Sequence, residues 1–468
     1  MWYGKDEINR NGIFKLKADN SAAAEKRFGE GNRLMAEGRW HEAAQCYRQV
    51  VGFDPDCAEA YANLGIVHEN LHEFGPAEQC YRRSILLNPG HAQVHSNLGI
   101  LLARQSRFIE AETAYRHALL VDPASPAAWS NLGVLLASLK REDEAERCYR
   151  AALRRNPDYW RASFNLSYLL LRQGHFEEGW TCLEKRVYDG LPDFHFPRWQ
   201  GEPLDGKALL IHHELGHGDA IQFCRYVPLL KTRWAVHITL TCPPALKTLF
   251  ATLAGADLVL STRDALPERH YDYWTLPLSL PFQLGTRLDS IPQKIPYLRA
   301  PQERIEKWAK KIPRSGFRVG LVWKGNPLHE NDNERSLPSL ETLAPLAQIP
   351  GVRFVSLQKG AGEEEAKHPP DGFPLLDLGP DIEDFADTAA IATQLDLIIS
   401  IDTATAHLAG ALALPCWVLI PDFIPDWRWL DRCTDSPWYP QVVRLFRQPP
   451  EGGWTAVVKE LAAELCKR

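Results

Sequence analysis

The stretch DLIISIDTATAHLAGALALPCWVLIP, residues 396–421, decides how the C-terminal part of this chain folds. Its pattern predicts a buried strand over Leu397–Ile401, a sharp turn at Asp402–Thr403, a helix from about Thr405 to Leu414, and a second buried strand over Cys416–Ile420. Because apolar and β-branched runs flank an Ala/Leu helix, the stretch is typical of a parallel βαβ unit, whose sheet is covered on both faces.

The turn between the first strand and the helix is a candidate anion site. Backbone N–H groups without intrahelical partners converge at the start of a helix, and the helix dipole favours negative charge there. Thr403 and Thr405 add hydroxyl donors, Asp402 can cap the helix, and His407 lies in its first turn. An ordinary βαβ turn with a good N-cap explains the same residues, so both interpretations stay open.

Length, composition and net charge indicate what kind of protein this is. The length of 468 residues predicts two to four domains, and 45% apolar with 24% charged residues is typical of a soluble globular protein. A formal net charge of −6 gives no basic footprint for nucleic acid or an anionic membrane. No apolar run approaches the roughly 20 residues of a membrane span, and the first residues lack the apolar core of a signal peptide. We therefore expect a cytoplasmic protein.

From about Ala24 to Asp193 the sequence repeats every 34 residues. Glycine, alanine, tyrosine and proline each recur at one position of the unit: Gly31, Gly65, Gly99 and Gly133; Ala43, Ala77, Ala111 and Ala145; Tyr47, Tyr81, Tyr115 and Tyr149; Pro55, Pro89, Pro123 and Pro157. The pattern looks like tetratricopeptide repeats, each a helix–turn–helix pair. Small residues let the helices approach, the aromatic ring fills the groove, and proline ends the second helix. A fifth unit, Trp160–Asp193, lacks the closing proline, and we expect it to dock onto the next region of the chain.

Asparagine recurs at the same step on the first helix of each unit, at Asn63, Asn97, Asn131 and Asn165. Each amide offers donor and acceptor groups, so a row of them can bind the backbone of an extended polypeptide. The row resembles the asparagine ladder of O-GlcNAc transferase. Helix packing explains the same recurrence, and both interpretations stay open. Because a solenoid exposes a long concave surface, we expect a protein or peptide partner in either case.

Past about Phe194 predicted strands begin to alternate with helices. The first such region has strands at 208–214, 235–242 and 257–261, with helices at 220–231 and 244–254. After a proline-rich span, a second region has strands at 318–324, 353–358, 396–400 and 417–420, helices at 340–346, 384–394 and 404–414, and a closing helix at 455–466. Two such regions in succession predict two Rossmann-like domains that face one cleft.

The loop HHELGHGD, residues 212–219, follows the first strand of the first region. His213 to His217 match HExxH, but that zinc motif needs a helix, and glycines break this segment. The Gly-x-Gly of the loop lacks the third glycine of a dinucleotide fingerprint, since Ile221 stands there, so NAD binding is not expected. What remains is a glycine loop that places Asp219 at the start of a helix. There it is a candidate catalytic residue or simply the N-cap.

In the second region, Lys324 directly follows a strand and Arg335 ends the polar loop after it. Both can reach a phosphate beside the Thr403 turn, and an arginine can bind it with two parallel hydrogen bonds. Taken singly, each is more often a solvated surface charge. The sequence Asp54–Asp56, an Asp-x-Asp, lies in a repeat turn, so no metal site is predicted.

Longer motifs point to a known family. They are the loop and helix at 214–226, VGLVWKGNP, RSLP, VSLQKG, DFADTAAIATQLDLIISIDTATAHLAGAL, DWRWL, SPWYP and LFRQ. In this order they resemble the bacterial tetratricopeptide-repeat glycosyltransferases, whose catalytic part is similar to the ADP-heptose:lipopolysaccharide heptosyltransferases. The resemblance runs from about Ala24 to the C-terminus and implies an α-solenoid followed by a GT-B pair of Rossmann-like domains. We expect a flexible arm over 1–20, repeats over 21–193, an acceptor lobe over 194–312 and a donor lobe over 313–468.

The resemblance also implies roles for single residues. Asp219 is the expected general base on the acceptor side. The nucleotide phosphates are expected to contact Lys324, Asp402, Thr403, Ala404 and His407, with Arg335 beside them. One departure is Leu215, where the family pattern has glutamine.

The function that this resemblance implies is transfer of a hexosyl, heptosyl or nonulosonic-acid group from a nucleotide sugar to an acceptor hydroxyl, without a metal or another cofactor. The expected acceptor is a protein, such as flagellin, recruited by the repeats. Two alternatives stay open: transfer to lipopolysaccharide or another glycan, and a non-catalytic repeat scaffold whose transferase region has lost turnover.

Overall fold

The computed structural model describes residues 22–187, 191–329, 331–431 and 433–468, and the arm expected over residues 1–20 lies outside them. Contacts between residues divide the chain into two units. The first, called here the repeat unit, comprises the described residues up to Leu169 together with 185–187. The second, called the α/β unit, comprises residues 170–184 and the described residues beyond 190.

Helices follow one another along residues 22–184 in the pairs that the 34-residue period predicts. Their bounds are α1 Ala22–Ala36, α2 Trp40–Phe53, α3 Ala58–Asn70, α4 Phe74–Leu87, α5 Ala92–Arg104, α6 Phe108–Val121, α7 Pro126–Ser138, α8 Glu142–Arg155, α9 Trp160–Arg172 and α10 Phe176–Glu184.

The recurring glycines and tyrosines pack against each other inside each helix pair. A Cβ on Gly65 would lie 2.5 Å from Cε1 of Tyr81, and one on Gly133 would lie 2.6 Å from the same atom of Tyr149. These tyrosine rings are fully buried. The glycine therefore gives the ring its place between the helices, which confirms the packing predicted from the repeat.

The second helix of the fifth repeat, α10, belongs to the α/β unit. The indole N–H of Trp180 donates to the carbonyl of Thr286 at 2.9 Å. Its ring meets Trp427 edge-on, with 5.3 Å between the ring centroids. Helix α10 of the fifth repeat thus packs within the α/β unit, whereas docking of the whole repeat stays a prediction.

The α/β unit alternates short strands with helices over the rest of the chain. The strands are β1 Ala208–Ile211, β2 His237–Cys242, β3 Leu258–Ser261, β4 Tyr273–Thr275, β5 Phe317–Val322, β6 Val352–Ser356, β7 Leu375–Asp377, β8 Leu397–Ile401, β9 Cys416–Ile420 and β10 Val443–Arg447. The helices are α11 His217–Phe223, α12 Tyr226–Arg233, α13 Lys247–Phe250, α14 Leu280–Gln283, α15 Gln302–Trp308, α16 Asp332–Arg335, α17 Glu363–Lys367, α18 Phe385–Ala392, α19 Ala404–Ala411 and α20 Thr455–Leu465.

The described strands form two parallel sheets. One has the order β3-β2-β1-β4 and the other β10-β9-β8-β5-β6-β7. In each sheet the first strand has neighbours on both sides, β2 and β4 beside β1, and β6 and β8 beside β5. The chain therefore reverses its direction of winding beside β1 and beside β5. At such a switch point the loops leave the strands in opposite directions and open a crevice at the carboxyl ends.

Three predicted helices differ from the observed ones. The helix predicted over 244–254 is a 3-10 turn at Pro244–Leu246 followed by the short α13. The helix predicted over 220–231 is two helices, α11 and α12, and α11 begins earlier, at His217. The segment predicted as a helix at 340–346 is a 3-10 helix, Leu340–Gln348, with Pro345 inside it. Proline has no N–H to donate and its ring clashes with the preceding turn, so a regular α-helix is disfavoured there.

Candidate functional site

Three loops meet at the carboxyl edge of the six-stranded sheet, after β5, β8 and β9. Asn331, in the loop after β5, donates its side-chain amide to the carbonyls of Phe423 and Ile424, at 3.4 and 3.1 Å. Those two residues belong to the loop after β9. The turn after β8 lies between the two loops in strand order, so residues separated by about a hundred positions share one edge.

The turn after β8 presents the start of α19. Thr403 is the N-cap residue, its backbone is extended, and its side chain makes no capping hydrogen bond. Its hydroxyl lies 3.0 Å from the hydroxyl of Ser400 instead. The first N–H groups of a helix have no intrahelical acceptor. The start of α19 therefore keeps the donors that an anion site requires.

The start of α11, which follows the loop after β1, packs directly onto this helix start. A Cβ on Gly218 would lie 3.0 Å from Cδ2 of His407 and 3.5 Å from Cα of Ala404. One position earlier, the ring of His217 stacks on Phe385, with 5.3 Å between the ring centroids. The start of α11, beside the switch point of one sheet, therefore meets the turn beside the switch point of the other.

Asp219 is the third residue of α11 rather than its N-cap. Its Oδ2 accepts the backbone N–H of Gly216 at 3.0 Å, which is the side-chain half of a capping box. Its Oδ1 pairs with the guanidinium of Arg428. The side chain is 20% exposed. Asp219 thus caps α11 and also pairs with an arginine from the loop after β9 of the other sheet. Its role as general base stays a prediction.

Arg428 is the residue that sequence reasoning missed. It lies in the loop after β9, only 4% exposed, and its Nη1 donates to both carboxylate oxygens of Asp426 at 2.9 Å. Its Nε donates to the side-chain carbonyl of Gln222. The ring of Trp427 lies 4.3 Å from the guanidinium carbon. The motif DWRWL was the available signal, but nothing in it indicates a partner on the other sheet.

His407 is buried against aromatic rings rather than exposed to the cleft. It stacks on Trp429 with 5.2 Å between the ring centroids, and its Nδ1 lies 3.1 Å from the hydroxyl of Tyr439. Burial lowers the pKa of His407 to about 3, with the charge of Arg428 adding to the effect. The imidazole is therefore neutral at physiological pH and acts as a hydrogen-bonding and packing group.

Asp402 and Asp426 are half-buried neighbours with opposite pKa shifts. Burial raises the pKa of Asp402 to about 6, and the charge of Asp426 adds to the rise. Burial also acts to raise the pKa of Asp426, but the Arg428 guanidinium outweighs it and holds that pKa below its ordinary value. The pair thus has one carboxylate that stays charged and one that titrates near neutrality.

Arg335 reaches the turn after β8, and its predicted contact with a phosphate there stays a prediction. Its Nη1 donates to the carbonyl of Asp402 at 3.3 Å, and its Nε donates to Asp332 at 3.2 Å. A Cβ on Gly325 would lie 2.9 Å from Nη2 of Arg335, so the absent side chain makes room for the guanidinium. The cation is held beside the start of α19.

Lys324 points elsewhere. Its ammonium donates to the carbonyl of Pro338 at 2.6 Å and lies 3.9 Å from Glu365. Glu365 belongs to α17, which follows β6, whereas the Thr403 turn follows β8, and β6 and β8 lie on opposite sides of β5. The structure therefore does not bring Lys324 into contact with this turn, and its predicted role requires another side-chain conformation.

The recurring asparagines of the repeat unit are largely enclosed. Asn63, Asn97 and Asn165 are 0%, 1% and 2% exposed, and Asn131 is half-buried. The amide of Asn63 donates to Asn32 of the preceding repeat at 3.1 Å, and Asn97 accepts from Gln93 at 2.9 Å. Packing therefore uses these groups in the observed conformation, and peptide binding by them stays a prediction.

Within the described ranges, no cluster of three or more histidine, cysteine, aspartate or glutamate side chains could hold a metal ion. The HExxH match is not helical, because α11 begins at His217 and His213 lies in the preceding loop. In the same part of the chain, no helix is long and apolar enough to cross a membrane.

Comparisons with known proteins identify the repeats. Family models described as tetratricopeptide or TPR repeats match residues 31–71, 58–91, 126–159 and 143–179, so the repeat unit consists of tetratricopeptide repeats. Protein FlbA of Caulobacter vibrioides is 29% identical over 328 residues, which cover 63% of this chain and 53% of that protein. The chain thus spans about half the length of this curated relative.

Solved structures are similar over about a third of the chain. PilF of Pseudomonas aeruginosa is 21% identical with a TM-score of 0.34, covering 36% of this chain and 78% of that one. A thermophilic TPR protein of Thermus thermophilus is 22% identical with a TM-score of 0.32, covering 36% and 93%. MamA of Desulfovibrio magneticus is 17% identical with a TM-score of 0.31, covering 35% and 92%.

Proposed function

We propose that this chain is a glycosyltransferase that transfers a sugar from a nucleotide-sugar donor to an acceptor hydroxyl, without a metal. The observation that carries the proposal is the contact between Gly218 and the start of α19. Through this contact the carboxylate of Asp219 and a helix terminus suited to an anion lie near each other, each beside the switch point of its own sheet. A GT-B enzyme needs such an arrangement, with an acceptor lobe facing a donor lobe.

The donor phosphates would occupy the start of α19. The backbone N–H groups after Thr403 supply hydrogen bonds to phosphate oxygens, and Arg335 supplies a positive charge beside them. Both groups are fixed before a ligand arrives. Preorganised donors of this kind stabilise the negative charge that develops on a leaving phosphate.

The proposed reaction is a direct displacement at the anomeric carbon of the donor sugar. The acceptor oxygen forms the new glycosidic bond while its proton passes to the carboxylate of Asp219. The bond from the anomeric carbon to the phosphate oxygen breaks, and the nucleotide leaves with the electron pair. A single displacement inverts the configuration at that carbon.

The repeats would recruit the acceptor, and a protein such as flagellin is the class we propose. Tetratricopeptide repeats form a continuous solenoid surface that suits an extended polypeptide. The asparagine row is one candidate contact. Because most of its members are buried, other side chains of the surface must take part in first recognition.

A non-catalytic scaffold is the second candidate, and one observation favours it. Both oxygens of Asp219 already have partners, Arg428 and the N–H of Gly216. A base with this geometry must keep a lone pair for the acceptor proton. A scaffold would bind a protein through its repeats and release no nucleotide from any donor.

Thermal unfolding of the full chain with UDP, GDP, ADP or CMP tests the donor site. A nucleotide that binds the folded state at 100 times its dissociation constant stabilises it by about 2.7 kcal/mol and raises Tm. Arg335→Gln should weaken that nucleotide about 10- to 100-fold, because a hydrogen bond to a charged group is lost. Arg444→Gln, which removes an arginine on β10 that pairs with Glu464, is the matched control. If no nucleotide changes Tm at millimolar concentration, the donor site is refuted.

A further inference from the structure

Arg428 connects the two sheets through one guanidinium. Within the loop after β9, its Nη1 donates to both carboxylate oxygens of Asp426, each at 2.9 Å. On the side of the four-stranded sheet it pairs with Asp219 through Nη2 and donates to Gln222 through Nε. Asp219 and Gln222 are both on α11. A single arginine in the loop after β9 thus holds the helix that carries the proposed base.

The planar guanidinium suits this task better than any other side chain. It presents its donors in a fixed fork, so one head can serve three acceptors in different directions. The arginine is 4% exposed, so water does not replace these partners easily. Asp426 also pairs with this guanidinium, so a negative charge stays next to the cation even when Asp219 accepts a proton.

The arginine is itself held in place by aromatic rings. The Trp427 ring lies 4.3 Å and the Phe223 ring 5.6 Å from the guanidinium carbon. Trp427 packs edge-on against Trp180 of α10, the helix from the fifth repeat. The guanidinium therefore has little freedom to rotate away from Asp219, and its position is fixed by packing as well as by charge.

We infer that Arg428 is the positioning residue for Asp219: it orients one carboxylate oxygen so that the remaining lone pairs face the acceptor hydroxyl. The inference rests on the proposed transferase function. Arg428 contributes through Asp219 alone, without touching the sugar, the nucleotide or the acceptor. Its effect on turnover should therefore disappear when Asp219 can no longer act as a base.

A double-mutant cycle measures this dependence. The four chains are the wild type, Asp219→Asn, Arg428→Gln and the double variant, each assayed for nucleotide release from a panel of UDP-, GDP-, ADP- and CMP-linked sugars. Arg428→Gln should lower kcat by about 100-fold, the scale of a catalytic group displaced by about 1 Å. KM for the donor should change little, because the phosphate contacts lie at α19. In the Asp219→Asn background the same substitution should change kcat by less than about threefold, because the two residues act as one unit.

The outcomes separate the inference from the function on which it rests. If Arg428→Gln lowers kcat by the same factor in both backgrounds, or leaves the wild-type rate intact, the positioning role is refuted while the enzyme stands. If the wild type releases no nucleotide from any donor, both proposals fall. Arg428→Lys keeps the positive charge but not the planar fork of donors, so it should fold even if Arg428→Gln fails to fold. It should retain about a tenth of the wild-type kcat. Full activity of a folded Arg428→Lys also contradicts the inference. Arg444→Gln controls for the loss of an arginine in the same unit.

Discussion

Replacing Asp402 by asparagine should stabilise the protein at alkaline pH and leave it nearly unchanged at acid pH. Burial and the charge of Asp426 raise the pKa of Asp402 from an ordinary 3.8 to about 6. A carboxyl group whose pKa is higher in the folded state binds its proton more tightly there. Stability is therefore greatest below the unfolded pKa and falls as the pH rises through about 4 to 6.

The size of the effect follows from the shift. Two pKa units at 1.36 kcal/mol each give an upper limit of about 3 kcal/mol lost at pH 8. Because Asp402 keeps some contact with water, we expect between about 1 and 3 kcal/mol. Asparagine carries no charge and avoids this loss. Arg335 donates to the backbone carbonyl of residue 402, so that hydrogen bond survives the substitution.

Urea unfolding followed by tryptophan fluorescence, at pH 4.5 and at pH 8, measures the difference. The Asp402→Asn chain should unfold at a higher urea concentration than the wild type at pH 8, and the gap should narrow at pH 4.5. Asp435→Asn, at an exposed position of the same unit, removes the same charge and should stay within about 0.5 kcal/mol at both pH values. An Asp402→Asn chain that is less stable than the wild type at pH 8, or a stability difference between the two chains that does not depend on pH, would contradict a raised pKa for Asp402.

Three further predictions concern the repeats and their junction. Gly65→Ala puts a Cβ 2.5 Å from a buried tyrosine ring and should lower the free energy of unfolding by about 1–3 kcal/mol. Gly29→Ala, whose Cβ would have nothing within 4 Å, should raise it by about 1 kcal/mol. Equal effects of the two substitutions in urea titrations would contradict the packing of glycine against tyrosine. Changing Asn97 and Asn131 together to alanine should lower modification of a protein acceptor about five- to a hundredfold and leave donor hydrolysis unchanged. Unchanged modification by a variant with wild-type Tm would limit the asparagines to packing. Trp180→Ala should destabilise the α/β unit by about 3–5 kcal/mol. Backbone amides of that unit should then exchange their hydrogens faster than in the wild type. Unchanged amide protection would show that α10 is not part of the α/β unit.

Much of the fold could be predicted because its signals are local. The strands at Leu397–Ile401 and Cys416–Ile420 have the predicted bounds, since unbroken apolar runs leave no other way to bury them. The strands β4 and β7 have three residues each, too few for a pattern. β10, Val443–Arg447, was missed because two arginines interrupt its apolar residues, as the partly exposed face of an edge strand allows.

The site was predictable only where backbone topology decides it. Parallel strands of one sheet bring their carboxyl ends to one edge, so the meeting of the loops after β5, β8 and β9 follows from strand order. The contact of Gly218 with the start of α19 joins two different sheets, and strand order alone does not give it. The direction in which a side chain points does not follow from the order of the strands. Lys324 turns to the carbonyl of Pro338, and Arg428 reaches a carboxylate 209 positions away in the chain. Such partners depend on the packing of loops, for which a single sequence holds no periodic signal.

Release of nucleotide from a nucleotide sugar, compared between the wild type and the Asp219→Asn chain, is the most direct test of the proposed transferase activity. We expect release by the wild type from at least one donor class among UDP-, GDP-, ADP- and CMP-linked sugars. Asp219→Asn should lower this rate by about 10²- to 10⁴-fold, the range of a lost general base, while the donor dissociation constant stays the same. Equal rates in the two chains, or no release by a folded wild type from any of these donors, would contradict the proposed activity.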